Sequence, residues 1–252
     1  MAGDSVEPAD RQPETPKPLG QISTVWSVVL RAKDGAQIPT DEVARFFSRY
    51  HGAVYRYFLT ATRLTEVAED LTQDFAVRFL RGDFTNVHPD RGRFRDFLRV
   101  SLANQLRDYQ RRQRVRAVNE PLQEDPVDHN TQDMGSFNEN WREEILAQTW
   151  TALEHHQETT GQMFFLALKL KAVESDRSSA NLARIYSEQI QVETSDDAFR
   201  KILQRSRRRF GELLLNIIAD TLAVPTREEL QRELAELKLL PYCDTLLNEQ
   251  AS

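Results

Sequence analysis

RGRFRDFLRVSLANQLRDYQRRQRVR, residues 91–116, sets an apolar helical face against a cationic one. Phe94, Phe97, Leu98, Leu102, Leu106 and Tyr109 recur at intervals of three and four and gather on one side of a helical wheel. Arg95, Arg99, Arg107, Arg111 and Arg114 gather mostly on another. The spacing predicts an amphipathic helix, or two closely joined helices, with one face buried. Arginines stand at 91, 93, 95, 99, 107, 111, 112, 114 and 116, opposed by Asp96 and Asp108, and the stretch has no lysine. Arginine's planar fork matches phosphate, which a lysine ammonium does not. The chain as a whole carries a formal charge of -6, so this positive charge is concentrated rather than general. Nucleic-acid phosphate is its natural partner.

Composition sets the frame around that stretch. The 252 residues, 40% hydrophobic and 29% charged, leave room for one or two globular domains. With 9 glycines and little strand-like alternation, an all-α fold is expected. Cys243 stands alone, so no intramolecular disulfide is possible. No apolar run approaches the roughly 20 residues that span a bilayer, and the N-terminus lacks the basic-then-apolar order of a signal peptide. A cytoplasmic protein with no membrane partner is expected. Enzymatic chemistry is not. His51, His88, His129, His155 and His156 are scattered, and there is no glycine-rich phosphate loop or nucleophile motif. Asp70 and Asp74 share a helical face and could hold a metal, but no metal or cofactor is expected.

In chain order, residues 1–23 are rich in Pro, Asp and Glu and read as a disordered tail. A first domain spans 24–118. It opens with a short apolar helix over 24–33. A helix-start signal at Pro39, Thr40, Asp41 and Glu42 precedes apolar positions from Val43 to Ala61. Thr65 is placed to cap the next helix, with Ala68, Leu71, Phe75, Phe79 and Leu80 inward and Gly82 at its end. Residues 119–140 turn acidic and proline-containing, the composition of a flexible linker. A second domain, 141–222, resumes the helical pattern at Trp141. Pro225 and Thr226 start a helix with Leu230, Leu234 and Leu237 inward, within an extension over 223–252.

The segment 177–209 reads as helix, turn, capped helix. Thr194, Ser195, Asp196 and Asp197 form a strong start signal. Phe199, Ile202, Leu203, Phe210, Leu213, Leu214 and Ile217 make the packed face of the second helix. Arg200, Lys201, Gln204, Arg205, Arg207, Arg208 and Arg209 lie opposite. That is the logic of a helix-turn-helix, in which the first turns of the second helix enter the DNA major groove. Ser195, Asp196, Arg200, Lys201 and Gln204 would meet bases. Arg205, Arg207, Arg208 and Arg209 would lie nearer phosphates or a protein neighbour. The connection over 188–193 has no glycine and is longer than the usual three- or four-residue turn.

Three segments resemble RNA polymerase sigma factors of the extracytoplasmic-function group within the sigma-70 family. Glu69-Asp70-Leu71-Thr72-Gln73-Asp74-Phe75, followed by Arg78-Phe79-Leu80, is similar to the region-two helix of the form A-E-D-L-x-Q-E-x-F. Residues 94–116, with Leu102-Ala103-Asn104 and Asp108-Tyr109-Gln110-Arg111-Arg112, resemble the promoter-opening part of that region. SDDAFRKILQRSRRRFGELL, residues 195–214, resembles the region-four recognition helix. Together these matches cover most of 24–222.

The resemblance implies two helical domains, a region-two-like bundle and a region-four-like helix-turn-helix, joined by the acidic linker. It implies binding to core RNA polymerase through Glu69, Asp70, Gln73, Asp74 and Arg78. The arginine-rich stretch would then read and open the minus-ten element of promoter DNA. Asn104 would meet a flipped base and Asp108 would face the strand. Arg91, Arg93, Arg95, Arg99, Arg107, Arg111, Arg112 and Arg114 would supply the cationic surface that an opened strand needs. The helix-turn-helix would read the minus-thirty-five element. An anti-sigma factor or other regulator is a further candidate partner, and the extension could bind one or cap the second domain. Two alternatives stay open: a stand-alone helix-turn-helix regulator, and a sigma-like decoy for an anti-sigma factor.

Overall fold

Ten α-helices account for nearly all regular structure in the computed structural model, which describes residues 25–34, 39–83, 93–117 and 132–249. They are α1 Val25–Lys33, α2 Thr40–Thr62, α3 Thr65–Leu80, α4 Phe94–Ala117, α5 Gln132–Thr160, α6 Phe164–Val173, α7 Ser179–Ile190, α8 Asp196–Asp220, α9 Arg227–Glu236 and α10 Asp244–Glu249. A 3-10 turn, Leu240–Tyr242, precedes α10. The fold is all-α among the described residues. The expected tail, most of the expected linker and Arg91 lie outside them.

Local chemistry sets most helix ends. Arg63 closes α2 in the left-handed region at φ 57, its N–H bonded to the Leu59 carbonyl at 2.8 Å. Leu64 is extended and α3 starts at once, so the two helices form a tight hairpin. Thr65 is the first residue of α3 rather than its cap, and no side chain caps that end. Gly82, at φ 70, ends the helix where an L side chain would be strained. Ser178, Ser195 and Thr226 each accept a bond from the backbone N–H three residues on, which caps α7, α8 and α9.

One continuous core runs through both halves of the chain. α2 contributes Phe46, Tyr50, Tyr57 and Phe58, α3 contributes Leu71, Phe75 and Phe79, and α4 contributes Phe94, Leu98, Leu102 and Leu106. Leu80, expected inward, is 54% exposed. To the same core α5 adds Phe137, Trp141, Ile145 and Leu153, α8 adds Phe210, Leu214 and Ile218, and α9 adds Leu230 and Leu234. The Phe46 and Phe79 rings stack at 4.3 Å, and Tyr50 stacks on Trp141 at 5.3 Å with an interplanar angle of 2°. Such pairs add about 0.5–1.5 kcal/mol each beyond the area they bury.

α5 runs through the boundary expected between the linker and the second domain. Residues 132–140, expected in the linker, are helical, and Phe137 within them is fully buried. Trp141, expected to open the second domain, packs among residues of the first. Polar contacts reinforce the join: Arg56 pairs with Glu144 at 2.8 Å, and Gln148 donates to the Arg49 carbonyl at 2.6 Å. Arg49 also pairs with Asp220 at the end of α8, at 2.9 Å. Burial pushes the Asp220 carboxyl above its ordinary range despite that guanidinium. A smaller cluster, Ala167, Leu182, Ala183, Tyr186, Phe199 and Leu203, packs α6 and α7 against the start of α8.

Candidate nucleic-acid interface

The arginines of α4 divide into two sets with different surroundings. Arg93 and Arg95, expected to face a nucleic acid, are instead joined to α9. Arg95 is 3% exposed and Glu233 is 0% exposed. The Arg95 guanidinium meets Glu233 through Nε at 2.9 Å and Nη2 at 3.0 Å. It also donates to Glu236 at 2.7 Å and to the Asn138 side chain on α5. Arg93 donates to Glu233 at 2.5 Å, to Glu236 at 2.9 Å and to Asp96 at 3.3 Å. Burial alone would lower the Arg95 pKa, but Glu233 and Glu236 outweigh it and raise the group above its ordinary value. Both arginines are therefore structural ties rather than free cations. Arg99 is half-buried.

Beyond Arg99 one face of the helix stays in the core and the other is open to solvent. Asn104, Arg107, Arg111, Arg112 and Arg114 are exposed. Asp108 offsets part of this charge: its carboxylate meets Arg111 at 3.2 Å and its carbonyl accepts from Arg112 at 3.3 Å. Arg107 and Arg114 form no ion pair among the described residues. Phe97 and Tyr109 are half-buried against the core, on the helix side the periodicity gave them.

α3 lies beside this surface. Glu69, Asp70 and Gln73 are exposed and Arg78 is half-buried. Asp74 is tied to α4, because Gln105 donates to its carboxylate at 3.0 Å and to the Leu71 carbonyl at 2.8 Å. A recess of about 320 Å³ between the two helices is lined by Asp70, Asp74, Tyr109 and Arg112. An acidic face thus borders a cationic one.

The second cationic surface is on α8. The connection from α7 comprises five non-helical residues, from Gln191 to the cap Ser195. Gln191 takes the left-handed conformation, at φ 56, that glycine would usually supply. The Ser187 hydroxyl accepts from the Thr194 N–H at 2.9 Å and pins the turn. This is how α7 and α8 are joined through a long, glycine-free connection. Ser195 spends its hydroxyl on the cap. Arg200 is held by Asp196 at 2.5 Å and Asp197 at 3.5 Å, so its charge is more than offset in the first turn. Arg208 and Arg209 share Glu212, at 3.3 and 3.1 Å. Lys201, Gln204, Arg205 and Arg207 are exposed, and the three cations among them form no ion pair among the described residues.

Glu233 and Glu236 were not anticipated as partners of the arginine-rich stretch. A signal was present. Leu230, Glu233, Leu234 and Leu237 fall on one face at helical spacing, so Glu233 sits inside an apolar stripe. A carboxylate there must be buried, and a buried carboxylate requires a cation. What the pattern lacks is the identity of that cation, since Arg93 and Arg95 lie 140 and 138 residues away in sequence. The chain matches no protein-family model, no curated protein and no solved structure, so the role of these surfaces rests on their own residues.

Proposed function

We propose that the protein is a sigma-type initiation factor that binds core RNA polymerase and directs it to promoter DNA. The carrying observation is a pair of exposed, arginine-rich helical surfaces on an otherwise acidic chain. One is Asn104, Arg107, Arg111, Arg112 and Arg114 on α4, and the other is Lys201, Gln204, Arg205 and Arg207 on α8. The guanidinium forks of Arg107, Arg114, Arg205 and Arg207, which form no ion pair among the described residues, are suited to phosphate, and the resemblance of three segments to sigma regions gives the pair its order. On this reading Glu69, Asp70, Gln73, Asp74 and Arg78 contact polymerase, and Ser195, Asp196, Arg200 and Arg208 play supporting parts in the DNA contact.

The test is in vitro transcription with purified core enzyme, read by sequencing the 5′ ends. Arg107→Glu with Arg111→Glu should abolish promoter opening while association with core polymerase survives. Loss of that association instead would show that α4 is misassigned. One observation favours a second reading. Because α4, α5, α8 and α9 share a core, both cationic surfaces belong to one body, which suits a stand-alone helix-turn-helix regulator. Copurification decides between them, since a regulator of that kind would retain no polymerase subunits.

A further inference from the structure

A cleft of about 840 Å³ opens beside α8 and is bordered by Gln204, Arg205, Arg207 and Arg208 of that helix. Its floor is apolar. Trp150 of α5 packs edge-on against Phe210 of α8 at 5.2 Å, and Tyr242 lies 6.0 Å from Phe210 on the far side. Leu146, Leu168 and Leu246 complete that floor. Its rim is cationic: Lys171, Arg205, Arg207 and Arg208 all border it. Only Arg208 among them is matched by a nearby carboxylate, Glu212.

Three features specify an occupant. The volume falls within the roughly 300–1,000 Å³ typical of small-molecule sites. Leu146, Trp150, Leu168, Phe210 and Leu246 give the edge of a nucleobase few partners, whereas a hydrocarbon chain loses nothing against them. The rim carries more positive charge than one carboxylate would balance, and guanidinium forks pair well with a phosphate dianion.

We propose that this cleft binds a single-chain anionic amphiphile, a fatty-acyl chain ending in a phosphate monoester. The chain covers Trp150, Phe210 and Leu246, and the phosphate is held by the cationic rim to which Arg205 and Arg207 belong. Any competition of this ligand with DNA rests on the proposed promoter reading, because the same arginines would serve both.

Isothermal titration of the full chain with 1-oleoyl lysophosphatidate, below its micelle threshold and without DNA, tests the site. Binding should be saturable and of one-to-one stoichiometry. It should weaken roughly tenfold or more for the choline ester of the same chain, the scale of losing a charge-assisted hydrogen bond. Glycerol 3-phosphate, the head without the chain, should give no heat. Oleate separates a carboxylate from a phosphate source and should bind more weakly than the phosphate. Arg205→Ser with Arg207→Ser should cost at least about tenfold for the same reason. Ala172→Trp, at an exposed position bordering the cleft, should block entry without disturbing the core, while Arg184→Ser on α7 should change nothing. Equal affinity for the phosphate and the choline ester would overturn the proposal. So would binding untouched by both cleft variants, or a dimer that Ala172→Trp disperses, since the occupant would then be a second copy. A ligand that binds as expected to a protein that opens no promoter together with core polymerase would refute the promoter reading and leave the cleft assignment intact.

Discussion

Removing Glu233 should cost the protein about 3 kcal/mol. The carboxylate is fully buried and faces two guanidiniums, of which Arg95 is almost fully buried as well. Deleting one partner of a buried pair typically costs about 3–5 kcal/mol, because the charge left behind is uncompensated. Glu233→Ala leaves Arg95 with Glu236 and Asn138 and leaves Arg93 with Glu236 and Asp96, which places the loss at the lower end of that range. Urea titration followed by circular dichroism reads the change as a lower midpoint at constant slope. The double change Glu233→Leu with Arg95→Leu separates charge from packing. It removes both ions and should recover most of the loss, since apolar replacement of a buried pair is often neutral or better. A loss below about 1 kcal/mol for Glu233→Ala, the range of exposed pairs, would refute the view that this contact is a dry structural tie.

Glu236 gives the same contact a pH dependence. Burial would raise its pKa, but the bonds from Arg93 and Arg95 prevail and hold it below the usual carboxylate range. A depressed folded pKa means stability that is present above the unfolded value, roughly 4.3, and is lost as pH falls through the folded one. The difference in unfolding midpoint between the native protein and Glu236→Gln should therefore be full at pH 7 and shrink below about pH 4.3. A constant difference from pH 7 to pH 3 would show that Glu236 is not ionically coupled to the arginines. Gly211→Ala should destabilise by about 1–3 kcal/mol, because the new Cβ would lie 2.7 Å from the Tyr242 carbonyl oxygen and overpacking costs that much. An unchanged thermal midpoint would mean that the C-terminal segment does not rest on α8. Cys243, whose thiol burial pushes up to about 12, should stay unreactive to alkylation at pH 8 until the same segment is loosened by Gly211→Ala. Prompt labelling of the native protein would show that the segment lifts away unaided.

Helix identity was legible because it depends on local spacing. Phe94, Leu98, Leu102 and Leu106 repeat at four, and all four are buried. The caps at Ser195 and Thr226 were legible for the same reason, since each side chain reaches only three residues along the chain. Long-range pairing was not. The sequence around Arg95 reads as a cationic face, and only packing against α9 turns that guanidinium inward. The start of α5 was hidden because Asn138, Glu139 and Asn140 look polar in a row. Phe137 and Trp141 flank them at a spacing of four and carry the helix into the core. Gln191 shows a third kind of limit. A left-handed residue without glycine leaves no mark in composition, yet it lets α7 and α8 meet.

α5 is a single 29-residue rod, about 43 Å long at 1.5 Å per residue. Phe137 and Trp141 pack on rings of α2 and α4, and Trp150 packs on Phe165 of α6 and Phe210 of α8. A cut at residue 140 would strand Trp141 and Ile145 on one fragment and strip Tyr50 and Phe94 of their cover on the other. Neither fragment would then be a faithful miniature of the parent. Dissection of this protein by truncation is for that reason ill-suited to assigning roles to its halves, and point substitutions on intact chains are the better instrument.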